Sequence, residues 1–192
     1  MTLWILFYDS GDTMSNDFYA EYMVTKRPSG GDTVKKVLLA LAMLLVSAVL
    51  FLIFFPVGIL LIFLVFYGGY YLFTGLYTEY EYIITNGTLD VDKISGKRSR
   101  KRLISADIAK FERFGLLSQA PDAPDGATTV LASSNDGATE YYADYKHKSG
   151  GMVRLIFSPN DKIIDGIVMF LEPRMRIEVK RALQNSRAQA DE

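Results

Sequence analysis

From Val37 to Tyr77 the chain carries no charged residue, and only Pro56-Val57-Gly58 interrupts an otherwise continuous apolar pattern. One helix over this run would be roughly 60 Å long at about 1.5 Å per residue, about twice the ~30 Å hydrocarbon thickness of a bilayer. Divided at Pro56 and Gly58, the run becomes two helices, 37–55 and 59–77, each close to the ~20 residues that a span requires. The pattern therefore predicts a transmembrane helical hairpin. Proline removes a backbone donor and glycine permits the reversal, and so short a turn belongs near the far interface, where water reaches the freed carbonyls. A re-entrant pair that dips in and returns is the alternative.

Beyond Tyr77 the period changes from helical to alternating. Thr78-Glu79-Tyr80-Glu81-Tyr82-Ile83-Ile84 is rich in aromatic and β-branched residues, Asn86-Gly87 is a strong two-residue hairpin signal, and Thr88 to Ile94 alternates apolar and acidic side chains. Further short strands are predicted over 101–105, 108–114, 128–132, 140–146 and 152–157, the one over 128–132 lying in a polar loop over 118–138. Short strands of this kind, read as antiparallel, predict a small β-barrel or sandwich. Ser158-Pro159-Asn160-Asp161 then starts a helix whose Ile163, Ile164, Ile167, Val168 and Leu171 share one face. Pro173 ends or kinks it, and Met175 to Leu183 predicts a further helical turn before a polar, disordered tail.

Ahead of the apolar run, Ser15-Asn16-Asp17 resembles a helix start, and Phe18, Tyr19, Tyr22 and Met23 recur on one face, so a short interfacial helix is expected over 16–24. Pro28-Ser29-Gly30-Gly31 is a break, with Asp32 or Thr33 as the expected cap of the first spanning helix. Met14 serves as well as Met1 as a start, and residues 1–13 are read as an extension that the native protein lacks. The expected organisation is a cytoplasmic N-terminal segment over 1–36, the hairpin over 37–77, a globular domain over 78–175 and a tail over 176–192. The fold class is thus an α+β membrane protein, a two-helix hairpin followed by a small β-barrel or sandwich closed by a C-terminal helix.

The stretch from Tyr80 to Leu89, the segment Ile108-Ala109-Lys110-Phe111 and the closing run from Leu155 to Lys162 resemble the membrane-anchored bacterial PH-like (pleckstrin-homology-like) proteins of clostridia and their relatives. The resemblance covers residues 14 to about 175. It implies a short N-terminal segment, a two-helix anchor and one PH-like domain. Its motifs are structural, so it brings no active-site residue with it.

Charge adds an orientation. Lys26, Arg27, Lys35 and Lys36 precede the apolar run, and Lys93, Lys97, Arg98, Arg100, Lys101 and Arg102 follow it. Basic residues near span ends are retained on the cytoplasmic side, which predicts two spans in the cell membrane with both termini cytoplasmic. The formal net charge of −1 hides this segregation. The chain has no cysteine, which excludes disulfides and thiolate metal sites. The apolar run Leu3 to Tyr8 is too short, and has no basic region before it, for a secretory signal.

The sharpest functional candidate is the basic cluster Lys97, Arg98, Arg100, Lys101 and Arg102, close enough to the anchor to meet anionic headgroups at about 1 kcal/mol per base. The bland alternative is a solvated loop that only fixes topology. Within the anchor, Ala40 and Ser47 on one helix and Gly68 and Gly75 on the other form small-residue faces where the helices, or two copies of the chain, would pack. The absence of ionisable residues between Val37 and Tyr77 argues against a channel or transporter. His147, the sole histidine, stands among Lys146, Lys148, Gly150 and Gly151 in a turn, without partners for a metal or a triad. Asp90 and Asp92, like Glu79 and Glu81, alternate on strands and read as a solvent face. Gly30-Gly31-Asp32-Thr33 lacks the ending of a phosphate loop, and Asn86-Gly87-Thr88 means only a turn. No catalysis, cofactor, metal or nucleic acid is expected. The leading expectation is a non-enzymatic adaptor or scaffold presenting a sheet edge or helix groove to a protein partner, beside membrane lipids or a second copy. The alternative is a sensor of anionic lipid surfaces through residues 97–102.

Overall fold

A computed structural model describes residues 17–190. The alternative start at Met14 and the apolar run Leu3–Tyr8 lie outside the described residues.

Where an interfacial helix was expected over 16–24, the chain forms a strand, β1 (Tyr19–Thr25). Two patterns coexist in these residues. The spacing of Phe18, Tyr19, Tyr22 and Met23 suits a helix, but Ala20 and Val24 bury at strand period while Tyr19 and Met23 stay exposed. A neighbouring strand decides between them, because β1 pairs antiparallel with β2 (Thr78–Thr85) from Tyr19↔Thr85 to Thr25↔Glu79. That partner lies beyond the whole hairpin. The start of β1 is fastened by an exchange of hydrogen bonds: Phe18 N–H donates to Asn86 Oδ1 at 2.9 Å, and Asn86 N–H donates to the Phe18 carbonyl at 3.1 Å.

Between β1 and β2 stand α1 (Gly30–Phe54) and α2 (Gly58–Gly75). Ser29, not Asp32 or Thr33, precedes the first helical residue, and Asp32 reaches back to accept from Ser29 N–H at 3.1 Å, as the third residue of a capping box does. The reversal falls at Phe55-Pro56-Val57, one residue before the expected Pro56-Val57-Gly58, with Ile59 N–H bonded to the Pro56 carbonyl. Gly58 begins α2 against α1: a Cβ there would lie 2.3 Å from the Leu50 carbonyl oxygen. Both helices are long and apolar enough to cross a membrane. Their side chains are open to the surroundings, Leu52 at 79% and Leu60 at 74%, so this is not the buried core helix of a water-soluble domain.

The remaining strands are β3 (Thr88–Ser95), β4 (Ser99–Asp107), β5 (Phe111–Leu116), β6 (Thr128–Ala132), β7 (Tyr141–Lys146) and β8 (Met152–Phe157). They form two four-stranded sheets, in the orders β1-β2-β3-β4 and β5-β7-β8-β6. The sheets do not close into a barrel, and β6 runs parallel to β8 rather than antiparallel. Ile108–Lys110, expected as strand, is a 3₁₀ turn capped by Asp107, whose carboxylate accepts from Ala109 N–H at 3.1 Å. It turns the chain from the first sheet to the second.

One core joins the sheets, with Tyr82, Ile84, Leu89 and Val91 on one side and Ala143, Leu155 and Phe157 on the other. Tyr82 is a polar tie across it: its hydroxyl donates to the Ala132 carbonyl at 2.5 Å and accepts from Ser158 N–H at 3.3 Å. Burial pushes its phenol far above the ordinary tyrosine range. Helix α3 (Asp161–Phe170) starts at Asn160, whose side chain accepts from Ile163 N–H at 3.0 Å, and buries Ile163, Ile164, Ile167 and Val168. Helix α4 (Pro173–Ala190) follows, longer than the single turn expected, and continues through most of the predicted tail.

Candidate membrane-proximal site

The basic cluster is split by strand alternation. Only Lys97 and Arg98 lie in a turn, while Arg100, Lys101 and Arg102 belong to β4, where neighbouring side chains point to opposite faces. Arg100 and Arg102 turn to the acidic outer face of the first sheet. Arg100 Nη1 is 2.7 Å from Glu81, and Arg102 reaches Asp92 and Asp90 at 2.7 Å each. Glu81 and Asp92 are buried beneath them. Desolvation raises the Glu81 carboxyl above its ordinary value against the pull of Arg100, while hydrogen bonding to Asp92 raises the Arg102 guanidinium. Of the four carboxylates read as a solvent face, Glu81, Asp90 and Asp92 are thus half of an ion-pair lattice, and Glu79 is buried.

Lys97 and Arg98 turn the other way, toward the hairpin. The Arg98 guanidinium lies 4.3 Å from the Tyr71 ring centre and Lys97 Nζ 5.8 Å from that of Tyr77. The turn that carries them is pressed onto the end of α2. Gly96 N–H donates to the Tyr77 carbonyl at 2.7 Å, and a Cβ on Gly96 would lie 2.9 Å from the Thr74 oxygen. Gly96 has φ +60°, so glycine is favoured there on both counts.

Beside this turn a cleft of about 270 Å³ opens between the lead-in to α1, the end of α2 and β3. Lys26, Lys35, Lys36 and Lys93 line it, with Asp32 as its carboxylate. The sequence marked these lysines only as topology signals, since their convergence needs β1 and β3 to be brought together by β2.

The small-residue faces are placed differently from one another. Ser47 is half-buried on the seam between the helices, with Ala40 near it, but Gly68 and Gly75 face open space. Beside Gly58, the glycine of α2 on the seam is Gly69, buried against Met43, whose Sδ would lie 2.2 Å from an added Cβ. At the other end of the domain, β5 and α4 flank a groove of about 370 Å³. Phe114, Leu116, Met175 and Val179 line it, with Glu112 and Arg113 among its polar members. His147 lies in the exposed turn after β7, its Nδ1 2.8 Å from Ser149 Oγ. Among the described residues no group of His, Asp or Glu side chains is placed to hold a metal ion.

The fold is a two-sheet α+β domain closed by C-terminal helices and carrying an apolar hairpin. The family model described as bacterial PH-like domain (DUF6106) matches residues 16–177, and the chain belongs to that family. The match begins before the hairpin, as it must if β1 is part of the domain. No curated protein and no solved structure matches the chain.

Proposed function

We propose that the protein is a non-enzymatic membrane-anchored adaptor, its hairpin spanning the bilayer twice and its PH-like domain displayed on the cytoplasmic surface to a protein partner. The observation that carries this reading is the manner of attachment. An exposed apolar hairpin is joined through short links to neighbouring strands of one sheet, which suits a domain held at a surface and not one on a long tether. Among its surfaces, the open β5 edge beside α4 combines an unpaired strand side with an apolar helix face, the arrangement to which an extended partner segment adds a strand.

Topology is testable because the chain has no cysteine. Single cysteines at Val57 and Gly150 are expected to react with an impermeant maleimide in opposite compartments, Val57 from outside intact cells and Gly150 only after permeabilisation. Labelling of both from one side would sink the two-span reading. For the partner, a photoreactive residue at Glu112 should yield a discrete cross-linked species in cells that survives high salt and disappears with Met175→Glu, on the partly buried rim of the groove. A cross-link indifferent to that change would remove the groove from the reading.

The lipid-sensing alternative draws support from Lys97 and Arg98, which sit against the tyrosines at the end of α2. It loses support from Arg100 and Arg102, whose charges are engaged by Glu81, Asp90 and Asp92. Neutralising all five bases would unbalance that lattice, so Lys97→Gln/Arg98→Gln is the cleaner probe. If this pair alone removes a salt-sensitive preference for anionic bilayers, the sensor reading displaces the adaptor.

A further inference from the structure

The lysine cleft is short of negative charge. Asp32 is shared at long range between Lys26, 4.0 Å away, and Lys35, 3.8 Å away. Among the described residues Lys36 and Lys93 form no ion pair, although both are half-buried. Lys93 is also the register partner of Lys101 across β3 and β4. Like charges directly opposite on one face of a sheet are destabilising unless something neutralises them. Four lysines around one carboxylate, two of them half-buried without a counter-charge, make a seat for an anion.

Position in the fold says which anion. Lys36 immediately precedes Val37, where the uncharged run begins, and Gly75, which ends α2, lines the same cleft. The cleft therefore lies where the apolar helices give way to the polar domain. It also adjoins a second groove that shares Lys36 and Tyr77 and continues along Tyr70, Phe73 and Thr74 on the flank of α2. A soluble phosphate compound would use the cleft alone. A phospholipid would use both, its phosphate among the lysines and an acyl chain along the aromatic flank, with Lys97 and Arg98 at the rim.

We propose that this cleft binds the phosphate of an anionic phospholipid, with Lys36 and Lys93 as its principal ligands. The assignment rests on the bilayer-spanning reading of the hairpin, and differs from surface sensing through residues 97–102 in being one defined site at the junction.

The test uses the full chain in phosphatidylcholine nanodiscs containing a trace of spin-labelled phosphatidylglycerol or spin-labelled phosphatidylcholine. The motionally restricted fraction of each label is read by electron paramagnetic resonance. The wild type is expected to prefer phosphatidylglycerol several-fold. Lys36→Gln/Lys93→Gln should bring the ratio close to one, while Lys148→Gln/Lys162→Gln, on exposed residues away from the cleft, should leave it unchanged. Should the first variant not fold, Lys93→Met, which keeps the aliphatic stem, is expected to lower the ratio at least two-fold. Restriction of both labels without preference, or a preference that survives the cleft variants, overturns the proposal and leaves the spanning hairpin standing. Absence of any restricted component overturns the spanning hairpin and the cleft with it. Abolition of the preference by millimolar glycerol phosphate, at constant ionic strength, would reassign the cleft to a soluble phosphate compound.

Discussion

Asp144 and Arg154 form the most enclosed ion pair among the described residues, with Asp144 fully buried and Arg154 exposed by only 6%. Both Nε and Nη2 of Arg154 meet the carboxylate at 2.7 Å, and its remaining donors reach the carbonyls of Pro121 at 2.8 Å and Asp122 at 3.3 Å. The guanidinium also lies 4.9 Å from the Tyr142 ring centre. One side chain thus ties β7 to β8 and pins the long loop before β6. Arg154→Met would strand a buried carboxylate and is expected to cost about 3–5 kcal/mol. The double variant Asp144→Asn/Arg154→Met should cost less than the sum of the single changes, as read by denaturant titration in detergent. Glu81 offers a pH signature. Because its folded value is raised, its contribution is fully present below the unfolded value and is lost as pH rises through the folded one. Glu81→Gln removes that titration, so the wild type should lose melting temperature relative to the variant between mildly acidic and neutral pH. A difference flat with pH would contradict the raised value.

Helices and strands with strong local patterns were legible in the sequence. The hairpin turn, β2, β3, β6, β8 and the start of α3 fall where proline, Asn-Gly, alternation or capping residues put them. The cap at Ser29 and the 3₁₀ turn at Ile108–Lys110 are local misreadings, but the two largest errors share a cause, which is that a decisive partner lay far along the chain. β1 reads as helix until β2 is placed beside it, and β6 reads as an antiparallel member until β8 claims it. Packing within the hairpin shows the same limit: a seven-residue spacing picked Gly68 and Gly75, but the helices meet with Gly69 on Met43 and Gly58 against Leu50. The two seam glycines should differ on substitution. An added methyl at Gly58 meets backbone and at Gly69 the flexible end of a methionine, so Gly58→Ala should lower hairpin stability by about 1–3 kcal/mol and Gly69→Ala by less. Melting of the purified variants in one detergent would rank them, and an equal or reversed order would contradict the packing.

The domain and anchor are one object because β1 lies on one side of the hairpin and the rest of the fold on the other. Arg27 N–H donates to the Ser134 carbonyl at 2.7 Å and Lys26 N–H to the Thr78 carbonyl at 2.9 Å, so the segment after β1 is held by β2 and by the loop that follows β6. A fragment beginning at Thr78 lacks an edge strand and uncovers Tyr80, Tyr82 and Ile84, the register partners of Val24, Tyr22 and Ala20. That fragment should be poorly folded. A chain in which residues 28–76 are replaced by a short Asn-Gly turn keeps β1 beside β2 and should be folded, with well-dispersed amide resonances. Equal dispersion from both would mean that β1 is dispensable.

The candidate site was hidden from the sequence for the same reason: the cleft lysines converge only when three separate stretches meet. This interrupted pairing also orders events during synthesis. β1 emerges from the ribosome first, yet its hydrogen-bonding partner is made only after the hairpin. The first sheet can therefore close only after both helices of the hairpin have been made, and until then β1 waits with an open edge.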